Sequence, residues 1–358
     1  MSKAGSSAPP RRRADRHHRP GAEEPGRRSV ASRAWHGVGL TVWLLVVLAS
    51  AAALVAALMG EVGDWLADVG AVATTTAYAW GLAARTGGRP LIFSVLALVL
   101  GGLVVALDAN PLRSGAAVMT AVLTAVFAVM VTVPARNILA AVRETVVTLL
   151  VSSVGAMATL AWAPEVDLRR FEYTVLGLAL VGAFLTVYRL GSAFHGLGTR
   201  GIVTVVAGSV MLALTVGYAE LLQRYGTHSL VETLDDAVRW SHHHLGAFPR
   251  PIIALLGVPA VVWGTHMRAR RRQGWWVCAF GIGLSSPVAY ALVDPGRSVK
   301  EVSLATGYGA VIGLAFGFLL IGIDLRLSSR RSARGRRQAE IDEVTTVRPE
   351  PGRTHALW

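Results

Sequence analysis

A single cysteine, Cys278, stands in the 358-residue sequence, so one chain can form neither a disulfide nor a cysteine-based metal site. Charge is scarce too. Asp, Glu, Lys and Arg make up 16% of the residues, against roughly 25% in an average soluble domain. Lysine occurs only at Lys3 and Lys300, and 22 acidic residues face 35 basic ones. The charges also avoid the apolar segments. Ten such segments, each about 16 to 23 residues long, hold no Asp, Glu, Lys, Arg or His near their middles. Ionisable groups at that depth cost several kcal/mol and are usually kept for proton relays, ion sites or gating. Their absence argues against a proton pump, or a transporter that grips a charged solute at the midplane.

What the sequence has in abundance is apolar surface: 53% of its residues are hydrophobic and the mean hydropathy is +0.49. About 20 apolar residues span a 30 Å hydrocarbon core. The reading is an all-α, polytopic helix bundle with spans at 38–60, 69–84, 90–107, 115–133, 145–163, 173–188, 201–219, 250–266, 275–293 and 303–323. Residues 1–37, rich in Arg, Pro, Ser and Gly, are expected to be a disordered basic cytoplasmic tail. The first apolar run is too long for the core of a cleaved signal peptide, so it is read as the first helix of a membrane domain covering 38–323. Residues 324–358, basic and then acidic, are expected to form a second disordered cytoplasmic tail.

Span 69–84 is the weakest, being short and carrying Thr74, Thr75 and Thr76, and charge decides whether to keep it. With ten spans and the N-terminus inside, 27 of the 35 Lys and Arg fall on the inner side, mostly in the two tails and at Arg268–Arg272. Nine spans would put the basic C-terminal tail outside, against the positive-inside rule. The formal charge of +13 is therefore read as a topology signal and not as a nucleic-acid face. The expected location is the cytoplasmic membrane of a bacterium, with both termini cytoplasmic. Anionic headgroups are the expected partners of the basic tails.

The spans carry hydroxyls and helix breakers. Thr74, Thr75, Thr76, Ser152, Ser153, Ser285 and Ser286 are candidates to line a polar path, although such groups often bond only to their own helix. Pro259 and Pro287 each remove a backbone donor within a span. In the last span Gly309, Gly313 and Gly317 recur every four residues, a close-packing stripe. The stretches Asp108–Ser114 and Asp294–Ser298 resemble each other, and both read as turn chemistry.

Outside the spans, loop 220–249 holds an amphipathic helix over 230–245, opened by a capping box at Ser229 and Glu232. It is expected on the outer membrane surface. His242, His243 and His244 are consecutive, so a helix points them in different directions, and the spacing suits a solvated face better than a metal site. The acids of the first outer loop, Glu61, Asp64 and Asp68, fit ordinary loop composition. In the tail, the acidic run before Thr345 and Thr346 is similar to threonine sites that bacterial Ser/Thr kinases modify and forkhead-associated domains read. The resemblance implies that a phosphate there would change the tail's charge.

Two functions lead at this point, ahead of an intramembrane enzyme that would use Glu61, Asp64 and Asp68. One is a permease-like protein handling a neutral or lipid-like substrate along the hydroxyl-lined path. The other is a non-transporting envelope scaffold whose cytoplasmic tail recruits a protein partner. No residue pattern assigns a catalytic group, cofactor or metal.

Overall fold

The computed structural model describes residues 30–60, 63, 65–189, 198–270, 274–346 and 350–357, and among them regular structure is helical throughout. The helices are α1 (Val30–Leu58), α2 (Trp65–Arg85), α3 (Pro90–Leu107), α4 (Asn110–Met130), α5 (Ile138–Ala161) and α6 (Leu168–Arg189). They continue with α7 (Gly198–Tyr225), α8 (His228–Leu245), a π-helical turn (Ile252–Gly257), α9 (Val258–Arg268), α10 (Gly274–Ala279), α11 (Ile282–Val293) and α12 (Val299–Thr346). The chain divides into two units, Met1–Val42 and Trp43–Trp358. The described part of the first is the opening of α1, where Val38 and Val42 are exposed.

Seven helical stretches are long and apolar enough to cross a membrane: Val38–Leu58, Pro90–Leu107, Asn110–Met130, Ile138–Ala161, Leu168–Arg189, Gly274–Val293 and Val299–Arg326. The protein is a multi-pass membrane protein. Two shorter apolar helices, Val205–Tyr218 and Ile252–Arg268, together with α2, occupy the other three segments expected from the sequence. Leu91, Phe93, Leu96 and Val99 on α3 and Val311, Phe316 and Leu319 on α12 are exposed, as side chains facing lipid must be.

Several helices start earlier than the sequence suggested, because their first turns carry charges. Asp108 ends α3 in the left-handed conformation, with φ 45°, and turns the chain into α4 with Pro111 in its first turn. Asn137 caps α5, its side chain accepting from the Ala140 amide at 2.8 Å. Glu144, expected in the preceding loop, thus lies within α5. At the other end of the chain the segment expected as an unfolded tail is helical to Thr346. Residues 350–357 return to the bundle. The expected N-terminal tail falls outside the described residues as far as position 29.

The centre of the bundle is the segment 274–293, buried along nearly its whole length. It packs against α4, α5, α6 and α9. It is interrupted: the Phe280, Gly281, Gly283 and Leu284 amides bond to carbonyls three residues back, at Val277, Cys278, Phe280 and Gly281. Such 3₁₀-type turns separate α10 from α11. The segment beside it is interrupted too. Pro259 cannot donate to Leu255 and would crowd its carbonyl in a regular helix. The turn before it widens to π geometry, with the Val258 amide reaching Ile253 O.

The glycine stripe of α12 lies along this second segment. A Cβ on Gly309 would sit 3.0 Å from Ile253 Cγ2, on Gly313 2.5 Å from Val258 Cβ, and on Gly317 2.7 Å from Val262 Cβ. The missing side chains let α12 lie directly on the π turn and α9, and the contact is within one chain.

Candidate functional site

Two polar regions are buried in the bundle, one at the crossing of the interrupted segments and one at an end. At the crossing, a Cβ on Gly257 would collide with the backbone of Gly283 and Leu284, so the two segments meet main chain to main chain. Pro287 sits inside α11 and leaves the Gly283 carbonyl without the donor a regular helix would supply. Two broken helices in contact place backbone polar groups deep in an apolar environment. That is the arrangement from which intramembrane binding sites are commonly built.

Unpartnered side-chain hydroxyls occur on α11 itself, on α4, which packs against it, and on α2, which packs against α4 and α5 and not on the crossing. Ser286 on α11, Thr124 on α4 and Thr74 and Thr76 on α2 all have buried hydroxyl oxygens with no hydrogen-bond partner. A hydroxyl left so in an apolar interior costs about 1–3 kcal/mol, unless a ligand or water completes it. The other candidates are differently placed. Thr75 donates to Ala71 O at 2.8 Å and pairs with Thr120 at 3.0 Å, and Trp162 Nε1 donates to Thr120 at 2.9 Å. This chain fastens α2, α4 and the end of α5. Ser152 donates to Thr148 O at 2.6 Å and Ser285 to Ile282 O at 3.4 Å, each within its own helix, and Ser153 is half-buried. Of the seven candidates, Thr75, Ser152 and Ser285 are structural hydroxyls and Thr74, Thr76 and Ser286 are unpartnered, with Thr124 added to the second group and Ser153 in neither. Thr124 faces Gly155 of α5, and its place in a continuous apolar stretch gave it no distinguishing signal.

The end of the bundle formed by the last turns of α2, α4 and α9 and the first turns of α5 holds a cluster of buried charges. Arg85 donates through Nε to Met130 O at 3.0 Å and through Nη2 to Thr132 O at 3.2 Å. Arg268 donates to Thr132 Oγ1 at 2.7 Å and Thr132 O at 3.1 Å. Its guanidinium lies 3.4 Å from the centre of the Trp275 ring, a cation–π contact. Glu144, with no exposed side-chain surface, accepts from the Val133 amide at 2.9 Å and from Arg143 at 2.9 Å.

Residues 350–357 complete this cluster. Arg353 donates to both oxygens of Glu144, at 2.8 and 2.9 Å. Glu350 pairs with Arg268 at 2.6 Å. Arg85 Nη1 donates to the carbonyls of Gly352 and His355, both at 2.8 Å, and the Leu357 amide donates to Arg85 O at 3.0 Å. The Leu357 side chain packs against the main core. Sequence reading missed the cluster, because each member is a charge at the margin of an apolar run and only the fold brings them together.

At the opposite end Arg113 binds Asp68 through two bonds, at 2.9 and 3.2 Å, and Asp108 at 2.6 Å. Asp68 is thus engaged in holding α2 to α4. Glu61 and Asp64 lie outside the described residues. Asp294 pairs with Arg297 at 3.1 Å, so both of the similar Asp-to-Arg turns close on themselves. Helix α8 starts after Thr227 and not at Ser229. The expected capping box is absent there, and Ser229 pairs with the Thr227 hydroxyl at 3.4 Å. Ser241 is buried and donates to Ala247 O at 2.7 Å, while Trp240 and Leu245 are exposed. Arg239, bonded to Asp236, is held above the usual guanidinium range by that bond. His244 stacks on Trp240 with ring centres 4.8 Å apart. The side chains of Thr345 and Thr346 lie outside those described.

Compared with protein families, curated proteins and solved structures, the chain has no match.

Proposed function

We propose that this chain is a permease-like protein of a bacterial cytoplasmic membrane that handles a neutral or lipid-like substrate at the crossing of its two interrupted helices. The observation that carries the reading is the backbone contact between Gly257 and Gly283, one turn from the unpartnered Ser286 hydroxyl. A substrate with a hydroxyl, ether or carbonyl group suits such a site. It can supply the missing hydrogen bonds without bringing a charge that nothing at this depth would neutralise.

In this reading ten segments cross the membrane, α2 and the two shorter apolar helices included, and both ends of the chain are cytoplasmic. Arg85, Glu144, Arg268 and residues 350–357 then share the cytoplasmic end, while Asp68, Arg113 and Asp294 share the outer one. The inner cluster has a mixture of signs, and the basic stretch after Arg326 meets anionic headgroups. Helix α8, with a polar face and exposed Trp240 and Leu245, lies on the outer surface.

The test is complementation of a strain lacking the protein. A variant carrying Thr74→Val, Thr124→Val and Ser286→Ala is expected to reach the membrane at the normal level and fail to complement. If it complements fully while a form ending at Asp324 does not, the transport reading fails. The tail-recruiting scaffold then takes its place, a reading favoured by the helix that continues beyond the apolar part of α12 to Thr346.

A further inference from the structure

The charged end of the bundle has the properties of a receptor, and residues 350–357 have those of its ligand. The bundle's half of the cluster keeps bonds of its own without the segment: Arg85 has Met130 O and Thr132 O, Arg268 has Thr132 and the Trp275 ring, and Glu144 has the Val133 amide and Arg143, while Arg85 Nη1 and the charge of Arg268 find their further partners in the segment. The loop that carries Thr132 and Val133 is itself tied down, the Ala135 amide donating to Thr265 O at 3.0 Å. These bonds hold the groove's shape independently of the segment, and the segment adds the counter-charge of Arg268 and the acceptors of Arg85 Nη1.

The segment, by contrast, has no regular structure. Within it the bonds are the turn from the His355 amide to Gly352 O at 3.0 Å and a 3.4 Å contact between Thr354 and His355. Its remaining bonds run to the groove. It presents a carboxylate at Glu350, a guanidinium at Arg353, two carbonyls at Gly352 and His355, and an apolar side chain at Leu357. Each meets a complementary group: Arg268, Glu144, Arg85 and the core. The charges alternate in sign along both partners, so a segment docked in another register would set like charges together.

We propose that the groove formed by Arg85, Thr132, Glu144 and Arg268 is a peptide-binding site, and that residues 350–357 are its resident, exchangeable ligand. The ligand class is a short peptide that turns once, as at Gly352–His355, with a carboxylate three residues before a guanidinium and an apolar residue four beyond it. The site stands whether or not the bundle transports anything. Departure of the segment exposes Arg85 and Arg268 on the groove and frees the segment for a partner.

The test uses a labelled synthetic peptide of residues 350–357 and the purified protein in detergent, read by fluorescence anisotropy. A form ending at Thr346 is expected to bind the peptide. The full chain is expected to bind it at least roughly tenfold more weakly, since its own segment competes at high effective concentration. Peptides with Glu350→Ala or Arg353→Ala are expected to bind the shortened form roughly thirtyfold or more weakly, each leaving a buried charge without its partner. Equal binding to both forms, equal binding of the substituted peptides, or no binding to a monodisperse shortened form overturns the proposal. Should the shortened form fail to fold, a full chain with a protease site inserted after Thr346 is folded first and then cleaved. Excess labelled peptide is expected to replace the severed segment, and a site that never takes up label overturns the proposal equally.

Discussion

Replacing Gly313 by Ala tests the seam between α12 and the interrupted segment against its own internal control. A Cβ at position 313 would lie 2.5 Å from Val258 Cβ, 2.9 Å from Val258 Cγ1 and 3.2 Å from Ala254 O. Neither a Cβ nor a backbone oxygen can swing aside, so the helices must separate. Overpacking of this kind costs about 1–3 kcal/mol, and a rigid Cβ-to-Cβ collision belongs in the upper part of that range. Against it stands the helix-propensity gain of Ala over Gly, about 1 kcal/mol. The net expectation at Gly313 is a loss of about 1–2 kcal/mol. Gly307 is on the same helix with nothing within 4 Å of its Cβ position, so Gly307→Ala keeps only the propensity gain. The two variants should differ by about 2–3 kcal/mol, with opposite signs. Gly317→Ala, at 2.7 Å from Val262 Cβ, should follow Gly313, and Gly322→Ala, also in open space, should follow Gly307. Unfolding in mixed micelles of increasing SDS content, followed by circular dichroism, gives the ordering. Equal shifts at Gly313 and Gly307, or stabilisation at both, would refute the packing argument.

In a double-mutant cycle, Glu144→Gln and Arg353→Gln should show an interaction energy of about 1–3 kcal/mol, read from the same unfolding series; additive effects would mean the bond between them is unimportant. Asp68→Asn weakens the two-bond contact to Arg113 and should lower stability by about 1 kcal/mol, with complementation falling only as far as the folded protein does. Loss of complementation at full stability would instead make Asp68 a functional acid. Tyr78→Phe removes the 2.9 Å bond to Val151 O that joins α2 to α5, and a loss of about 1 kcal/mol is expected; an unchanged midpoint would show that the bond contributes nothing.

The all-helical, multi-pass architecture was legible in the sequence because apolar runs of membrane length have few other solutions. Helix ends were less legible. The sequence reading began the fourth and fifth spans after Arg113 and Glu144, yet both residues fold into the opening turns of α4 and α5, where an end-of-helix charge finds a partner across the bundle. Pro259 and Pro287 announced backbone irregularity, but that the two irregular segments touch at Gly257 and Gly283 is a tertiary fact that no local pattern carries. The hydroxyls show the same limit: Thr75 and Thr76 are neighbours in sequence, one bonded into a chain with Thr120 and the other unpartnered. The docking of residues 350–357 was illegible for a related reason. Its composition is that of a solvated tail, and its order comes entirely from the groove it occupies.

Mass spectrometry of the protein purified from native membranes in mild detergent tests the central claim most directly. The full chain, a form ending at Asp324 and the Thr74→Val, Thr124→Val, Ser286→Ala variant would be compared for what each retains. A neutral or lipid-like molecule held equally by the first two and lost from the third is the expected result. A stoichiometric protein partner that disappears with the tail, with no small molecule retained by any form, would contradict the claim and make the chain a scaffold.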